Sequence, residues 1–198
     1  KVLGLQEGDC CAISVLSPEI YSEAFRRSGI KPYLLDVDSE MMPDLASLKD
    51  NLDKGIKALL LFEPMGLLPS SITPYKELGL PIIEDVTQSV GSKFGEVYPG
   101  AIGDIVISST EEDSIVSTAG GAVLLSDNEE YTALMKKETS DYSPFIEMAD
   151  LNAALGIVQL EKLPSVVSRR STIWRIYQDE VLKRNRVKVF GNGSADFE

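Results

Sequence analysis

Pro81-Ile82-Ile83-Glu84-Asp85-Val86-Thr87-Gln88-Ser89 is the stretch on which the reading of this chain turns. A short apolar run closing on two acids places a carboxylate at the C-terminal mouth of a predicted parallel strand, where open α/β sheets bind their ligands. A second run, Ile105-Val106-Ile107, follows Gly103-Asp104 and closes on the hydroxyls of Ser108 and Ser109. Gly120-Gly121-Ala122 then opens a third. No lysine occurs between Lys93 and Lys136, and that gap governs the functional reading.

Working outward, apolar runs at residues 10–16, 32–37, 56–62, 81–83, 105–107 and 122–125 are short enough for buried strands, with helical segments between several of them. Ser17-Pro18 has the pattern of a helix start, hydroxyl at the N-cap and proline at the first helical position. Asp127 with Glu130 suits a capping box opening a helix that runs to Lys137. The βαβα order predicts a three-layer α/β/α domain around a mainly parallel sheet. Beyond Met148 the pattern changes to helix over 149–163, a break at Pro164, helix again from 166 to about 185, and a strand at 187–190. The expected division is a large domain over 1–147, a helical connector over 148–185, and the start of a small, incomplete C-terminal domain over 186–198. The chain does not open with Met, which suggests a fragment or a processed chain.

Composition narrows the function classes. The 198 residues are 43% hydrophobic and 25% charged, an ordinary globular balance with material for one substantial core. No apolar run approaches the roughly 20 residues needed to cross a bilayer, and no basic-then-apolar leader is present, so a cytoplasmic protein is expected. The net charge of -12 argues against a grip on nucleic acid or an anionic membrane, which needs clustered Lys and Arg. The basic residues that do cluster, Arg169, Arg170 and Arg175 with Lys183, Arg184, Arg186 and Lys188, are interleaved with Trp174 and Tyr177. They read either as a solvated helix face with its aromatics turned inward or as an anion or partner site. Cys10 and Cys11 are adjacent, badly placed to bond each other, and give no metal spacing. The absence of histidine removes His-based general base catalysis, Ser-His-Asp triads and His-ligated zinc together. No metal site is expected.

The ordered set of residues 4–9, 29–38, Ile83-Glu84-Asp85-Val86-Thr87-Gln88, Gly103-Asp104-Ile105, Gly120-Gly121-Ala122, and Asn152 to Leu160 with Arg169-Arg170 resembles the DegT group of sugar aminotransferases. The likeness covers nearly the whole chain, in order and near the family spacing. It implies a fold-type-I pyridoxal phosphate enzyme architecture and a family that aminates nucleotide-linked keto-sugars. By resemblance, Asp85 matches the acid that pairs with the cofactor's pyridinium nitrogen and keeps the ring an electron sink. Gln88 matches the glutamine near the ring's phenolic oxygen, and Ser109 the serine that binds the phosphate.

The resemblance breaks at the Schiff-base lysine. Counted back from Gly120-Gly121 its place falls on Asp113, and counted forward from Gly103-Asp104-Ile105 it falls on Ser114; neither forms an aldimine. Relatives that use histidine there for a dehydration have no counterpart in a chain without histidine. Glu111-Glu112-Asp113 follows the phosphate serine, and an acid about 5 Å from a phosphate would cost about 3 kcal/mol at an effective dielectric of about 20. The family's ring-stacking aromatic would fall near Ser17 or Pro18, and its Asn-Tyr-Arg-Met segment reads Phe145-Ile146-Glu147-Met148.

Scaffold signals thus persist where chemistry signals fail. The expectation is a non-catalytic relative with no catalytic residue of its own, a nucleotide-sugar-binding or partner subunit. Its pyridoxal phosphate would be held without a covalent bond or not at all. It would form a homodimer or a heterodimer with a paralogue, because this fold usually builds its sites between subunits. Two alternatives remain open: an active aminotransferase of keto-sugar biosynthesis, and a structural or interaction module.

Overall fold

The computed structural model describes residues 1–140, 142 and 146–182. Six strands form one sheet: β1 (Cys10–Ser14), β2 (Lys31–Leu35), β3 (Ile56–Phe62), β4 (Ile82–Asp85), β5 (Ile105–Ser109) and β6 (Ala122–Leu125). Their spatial order is β2-β1-β3-β4-β5-β6. The first five are parallel, and β6 returns antiparallel to β5. Strand β3 is central and nearly all apolar, as a strand covered on both faces must be.

Period-two alternation along β1 and β3 divides the interior into two cores. Leu59 and Leu61 join Ala12, Leu35 and Ile82 on one face, where α2 (Leu45–Asp50) adds Leu48 and α3 (Thr73–Lys76) adds Tyr75. Ala58, Leu60 and Phe62 join Cys11 and Ile13 on the other, closed by Phe25 and Tyr21 of α1 (Ile20–Ser28). Helices on both faces of a mainly parallel sheet are the three-layer arrangement expected. The first chain reversal, with β2 and β3 on opposite sides of β1, puts a topological switch point at the carboxyl ends of β1 and β3.

Local details depart from the sequence reading in three places. Helix α1 starts at Ile20 behind Glu19, which makes no side-chain cap. Ser17 instead closes a turn out of β1, its N–H donating to the Ser14 carbonyl at 3.0 Å, and its hydroxyl is buried without a partner. At α4 (Glu129–Ser140) the cap is Asn128, not Asp127: its Oδ1 accepts from the N–H groups of Glu130 at 2.9 Å and Tyr131 at 3.2 Å. The Ser126 hydroxyl, which accepts from the Asn128 N–H at 3.1 Å, sets that turn.

The third departure is α5, which runs unbroken from Asp150 to Leu182 through Pro164. Proline removes one ladder hydrogen bond and crowds the preceding turn, so a break was the local expectation. A stripe of half-buried residues, Asn152, Gly156, Gln159, Leu163, Val167 and Trp174, recurs at helical spacing on both sides of the proline. That common docking surface keeps the two halves in one helix. The expected strand at 187–190 and the unit over 186–198 lie outside the described residues.

Candidate functional site

The carboxyl ends of β3 and β4 bring three acids together below the surface: Glu63 and Glu84 are fully buried and Asp85 is 4% exposed. Glu84 survives there because three backbone N–H groups converge on it, from Gly100 at 2.7 Å, Ile102 at 2.9 Å and Gly103 at 2.5 Å. A β-carbon on Gly103 would stand 2.6 Å from that of Glu84, so this approach requires glycine. Glu63 lacks such a cradle. Ser89 donates its hydroxyl to Glu63 Oε2, while Oε1 is buried without a hydrogen-bond partner. Burial first, and then the charge of Glu84, push the Glu63 carboxyl up to about 9. Glu63 is therefore a neutral acid at pH 7 beside a fully cradled carboxylate.

Asp85 has partners from two directions. The Tyr21 hydroxyl of α1 donates to Oδ2 at 2.6 Å, and the Thr87 N–H donates to Oδ1 at 2.9 Å. Burial, the Asp85 charge and this hydrogen bond all hold the Tyr21 phenol above its ordinary pKa, so it remains a protonated donor. Sequence reasoning looked for an aromatic near Ser17 or Pro18 and missed Tyr21, one helical turn further on. Ser109 closes β5 beside this group: its N–H donates to Thr87 Oγ1 at 3.0 Å, and its hydroxyl accepts from the Glu111 N–H at 3.3 Å.

The following loop is clasped at its base. Thr118 donates its hydroxyl to Thr110 Oγ1 at 2.9 Å and its N–H to the Thr110 carbonyl at 2.8 Å, and both threonines are buried. Glu111, Glu112 and Asp113 are exposed, which removes most of the repulsion expected from them. Ser114, next along, is half-buried and carries a hydroxyl oxygen that is itself buried and unpartnered. No amine stands on this loop.

Between the strand-end loops and α5 lies a cavity of about 530 Å³. Gln88, Lys93, Asp113, Ser114, Arg170 and Trp174 are among the residues that line it, whereas Asp85 and Ser109 are not. The three residues singled out from the sequence therefore occupy one edge of the sheet without sharing this cavity. The Gln88 carboxamide oxygen accepts from the Met65 N–H at 2.7 Å, pinning a turn in which Met65 takes a φ of 56°. Its NH₂ group is the remaining donor. Of the late aromatics, Trp174 turns inward and Tyr177 stays 65% exposed. Phe145 and the basic residues from Lys183 onward lie outside the described residues.

Burial pushes the Cys11 thiol up to about 12 and raises Cys10 as well, which suits packing residues better than nucleophiles. Among the described residues no group of His, Cys, Asp and Glu could hold a metal ion, and no helix is long and apolar enough to cross a membrane.

A profile of the DegT/DnrJ/EryC1/StrS aminotransferase family matches residues 1–192. The chain belongs to that family. GDP-perosamine synthase of Escherichia coli O157:H7 is 26% identical over 195 residues, covering 90% of this chain and 54% of that protein. Among solved structures, the aminotransferase TlmJ from Streptoalloteichus hindustanus aligns with a TM-score of 0.78 at 25% identity, over 90% of this chain and 53% of that one. A DegT DnrJ EryC1 StrS aminotransferase from Brucella abortus aligns with a TM-score of 0.80 at 22% identity, over 96% of this chain and 57% of the other, and shares the fold. The chain spans about half the length of the curated relatives it matches.

Proposed function

We propose that this DegT-family chain is a non-catalytic relative of the nucleotide-sugar aminotransferases, serving as a ligand-binding or partner subunit. The observation that carries the reading is the loop from Thr110 to Thr118, where the place of the family lysine falls on Asp113 or Ser114 and the loop itself carries no amine; Lys93, which lines the same cavity, stands on a different loop. Covalently held pyridoxal phosphate does not fit these residues. The Ser109 hydroxyl already accepts from the Glu111 N–H, and the Asp85 oxygens already accept from Tyr21 and Thr87. Each oxygen retains a second lone pair, so Asp85, Gln88 and Ser109 are the residues that would touch a noncovalently bound cofactor.

The comparisons are equally compatible with an active aminotransferase of keto-sugar biosynthesis. The loop without an amine favours the non-catalytic reading, and the cradled acids favour an inherited rather than a newly built site. The proposed division remains a large domain over 1–147, a connector over 148–185 and a further unit from 186. A homodimer, or a heterodimer with an active paralogue, is proposed from the apolar surface of α5, where Leu151 is 81% and Ile157 62% exposed. A cytoplasmic site of action goes with this reading.

The test is to incubate the chain with pyridoxal phosphate, reduce with borohydride and map modified lysines. The expected result is no stoichiometric adduct. A single pyridoxyl-lysine at the strand-end cleft would restore the aminotransferase, and binding of a nucleotide-sugar by calorimetry separates a ligand-binding subunit from a purely structural module.

A further inference from the structure

The turn that follows β3 is built against the preference of its own backbone. Met65 takes a φ of 56°, a left-handed value that is costly for a residue with a β-carbon. Its side chain is 65% exposed, so packing does little to offset that cost. Two consecutive residues of the loop after β4 fasten the turn instead. The Met65 N–H donates to Gln88 Oε1 at 2.7 Å, and the Ser89 hydroxyl donates to the carboxyl of Glu63, at the root of the turn. Met65, Gly66, Leu67 and Leu68 form part of the wall of the cavity under α5, whereas Glu63, Glu84 and Ser89 are buried and do not line it.

The surroundings of Glu63 decide what its carboxyl can do. The charges that act on it, from Glu84 and Asp85 of β4, are both negative. From α3, Tyr75 presents a phenol held above its ordinary pKa by burial and then by Asp38, Glu63, Glu40 and Glu84, so it stays neutral. Lys76 of the same helix spends its ammonium on the Ile102 carbonyl at 2.8 Å. Two carboxylates offer each other only acceptors, so the hydrogen bond between Glu63 and Glu84 needs a proton on one of them. Glu84 accepts from three backbone N–H groups, which favours its charged form, and the proton therefore belongs to Glu63.

From this geometry we propose that the Glu63 carboxyl is a proton-operated latch on the Pro64–Gly66 turn, and so on one wall of the cavity. Protonated, it bonds to Glu84 and Ser89 and the turn stays fastened. When the proton passes to water, Glu63 becomes a third negative charge in one buried cluster with Glu84 and Asp85. That state is relieved by swinging the carboxyl outward to solvent, which draws Met65 off Gln88 and lets it leave its left-handed conformation. Strand β3 stays paired with β4 over residues 59–62, so the release is local. Burial and the charge of Glu84 set the change at about pH 9. Such a latch operates whether or not the chain is catalytic, and in that respect goes beyond the proposed function.

Two reporters sit on this wall and cavity: the Met65 methyl group, and Trp174, the single tryptophan of the chain. The full chain is labelled at its methionine methyl groups, the Met65 resonance is assigned with Met65→Leu, and resonance and Trp174 emission are followed together as pH is raised from neutral. Both are expected to change with one midpoint near pH 9 while far-ultraviolet circular dichroism stays native. Glu63→Gln keeps a neutral side chain that donates to Glu84, and should hold both reporters in their neutral-pH state throughout. Ser89→Ala removes a hydrogen bond that favours the ionised form of Glu63, and should move the midpoint up by at least about 0.5 in pH. It tests the latch even if Glu63→Gln folds poorly. A Met65 resonance that does not titrate, a Trp174 emission that ignores the transition, the same transition in folded Glu63→Gln, a midpoint unmoved or lowered by Ser89→Ala, or a transition that coincides with loss of circular dichroism would each overturn the proposal. None of these results bears on whether a lysine forms an adduct with pyridoxal phosphate.

Discussion

Two sets of acids stand within one reach of the sheet's carboxyl edge, and they are treated in opposite ways. Glu84 and Asp85 at the end of β4 are buried and answered by five donors: three backbone N–H groups for the first, a phenol and a backbone N–H for the second. Glu111, Glu112 and Asp113, on the loop after β5, are exposed, with their chain reversal closed by Thr110 and Thr118 rather than by the acids themselves. A buried carboxylate must have its hydrogen bonds supplied by the fold, whereas an exposed one has water. The β4 acids are consequently part of how the protein folds, and the loop acids are free to vary without structural penalty.

The sharpest way to break this contrast is Glu84→Ala. Removing the acceptor strands three N–H groups in the interior, each costing about 1–3 kcal/mol, so a loss of about 3–5 kcal/mol in urea unfolding is expected after partial relaxation. A loss below about 1 kcal/mol would show that water enters and replaces the carboxylate, and the two sets of acids would no longer differ in kind.

Glu63 sharpens the comparison through pH. Its folded pKa is raised from 4.5 to about 9, so the folded protein keeps a proton that the unfolded chain releases. Below the unfolded value both states are protonated and nothing is lost. As pH climbs from 4.5 toward about 9, stability falls, with a slope of at most about 1.4 kcal/mol per pH unit from this group. Glu63→Gln mimics the neutral acid and should flatten that slope in unfolding curves taken at successive pH values. If both proteins show the same slope, Glu63 is charged in the folded state and Glu84 does not share its surroundings as described.

Tyr21→Phe is a smaller perturbation of the same region. It removes one hydrogen bond to a carboxylate while leaving the ring packed against Phe25 and its neighbours, and should cost about 1.5–3 kcal/mol by denaturant titration. At the bottom of the scale, Glu111→Gln should change stability by less than about 0.5 kcal/mol, as surface substitutions away from special contacts do. A larger loss would mean that the loop acids carry structure after all.

How far the site could be read in advance follows from sequence separation. That Asp85, Gln88 and Ser109 lie at the edge of the sheet was legible because each follows a short apolar run, whereas the roles given to them came only from the family resemblance. Tyr21 was not, since its bond to Asp85 spans 64 positions and depends on how α1 lies across the sheet. Glu63 was passed over because a single acid after an apolar strand carries no mark of being buried. The Pro164 expectation failed for a related reason: the local cost of proline in a helix was weighed without the docking stripe on α5 that offsets it.

By itself the sequence determined the short apolar strands, their α/β alternation, the acids at a strand end and the lack of both histidine and a lysine between Lys93 and Lys136. Strand pattern is a local property, and a residue type that is absent cannot be supplied by any packing. Tertiary structure alone decided which acids lose contact with water, which phenol answers Asp85, that Gln88 holds Met65 in place, and that Arg170 and Trp174 face the same cavity as Lys93. Those outcomes depend on distances between groups far apart in the chain, and such distances exist only once the helices have packed against the sheet.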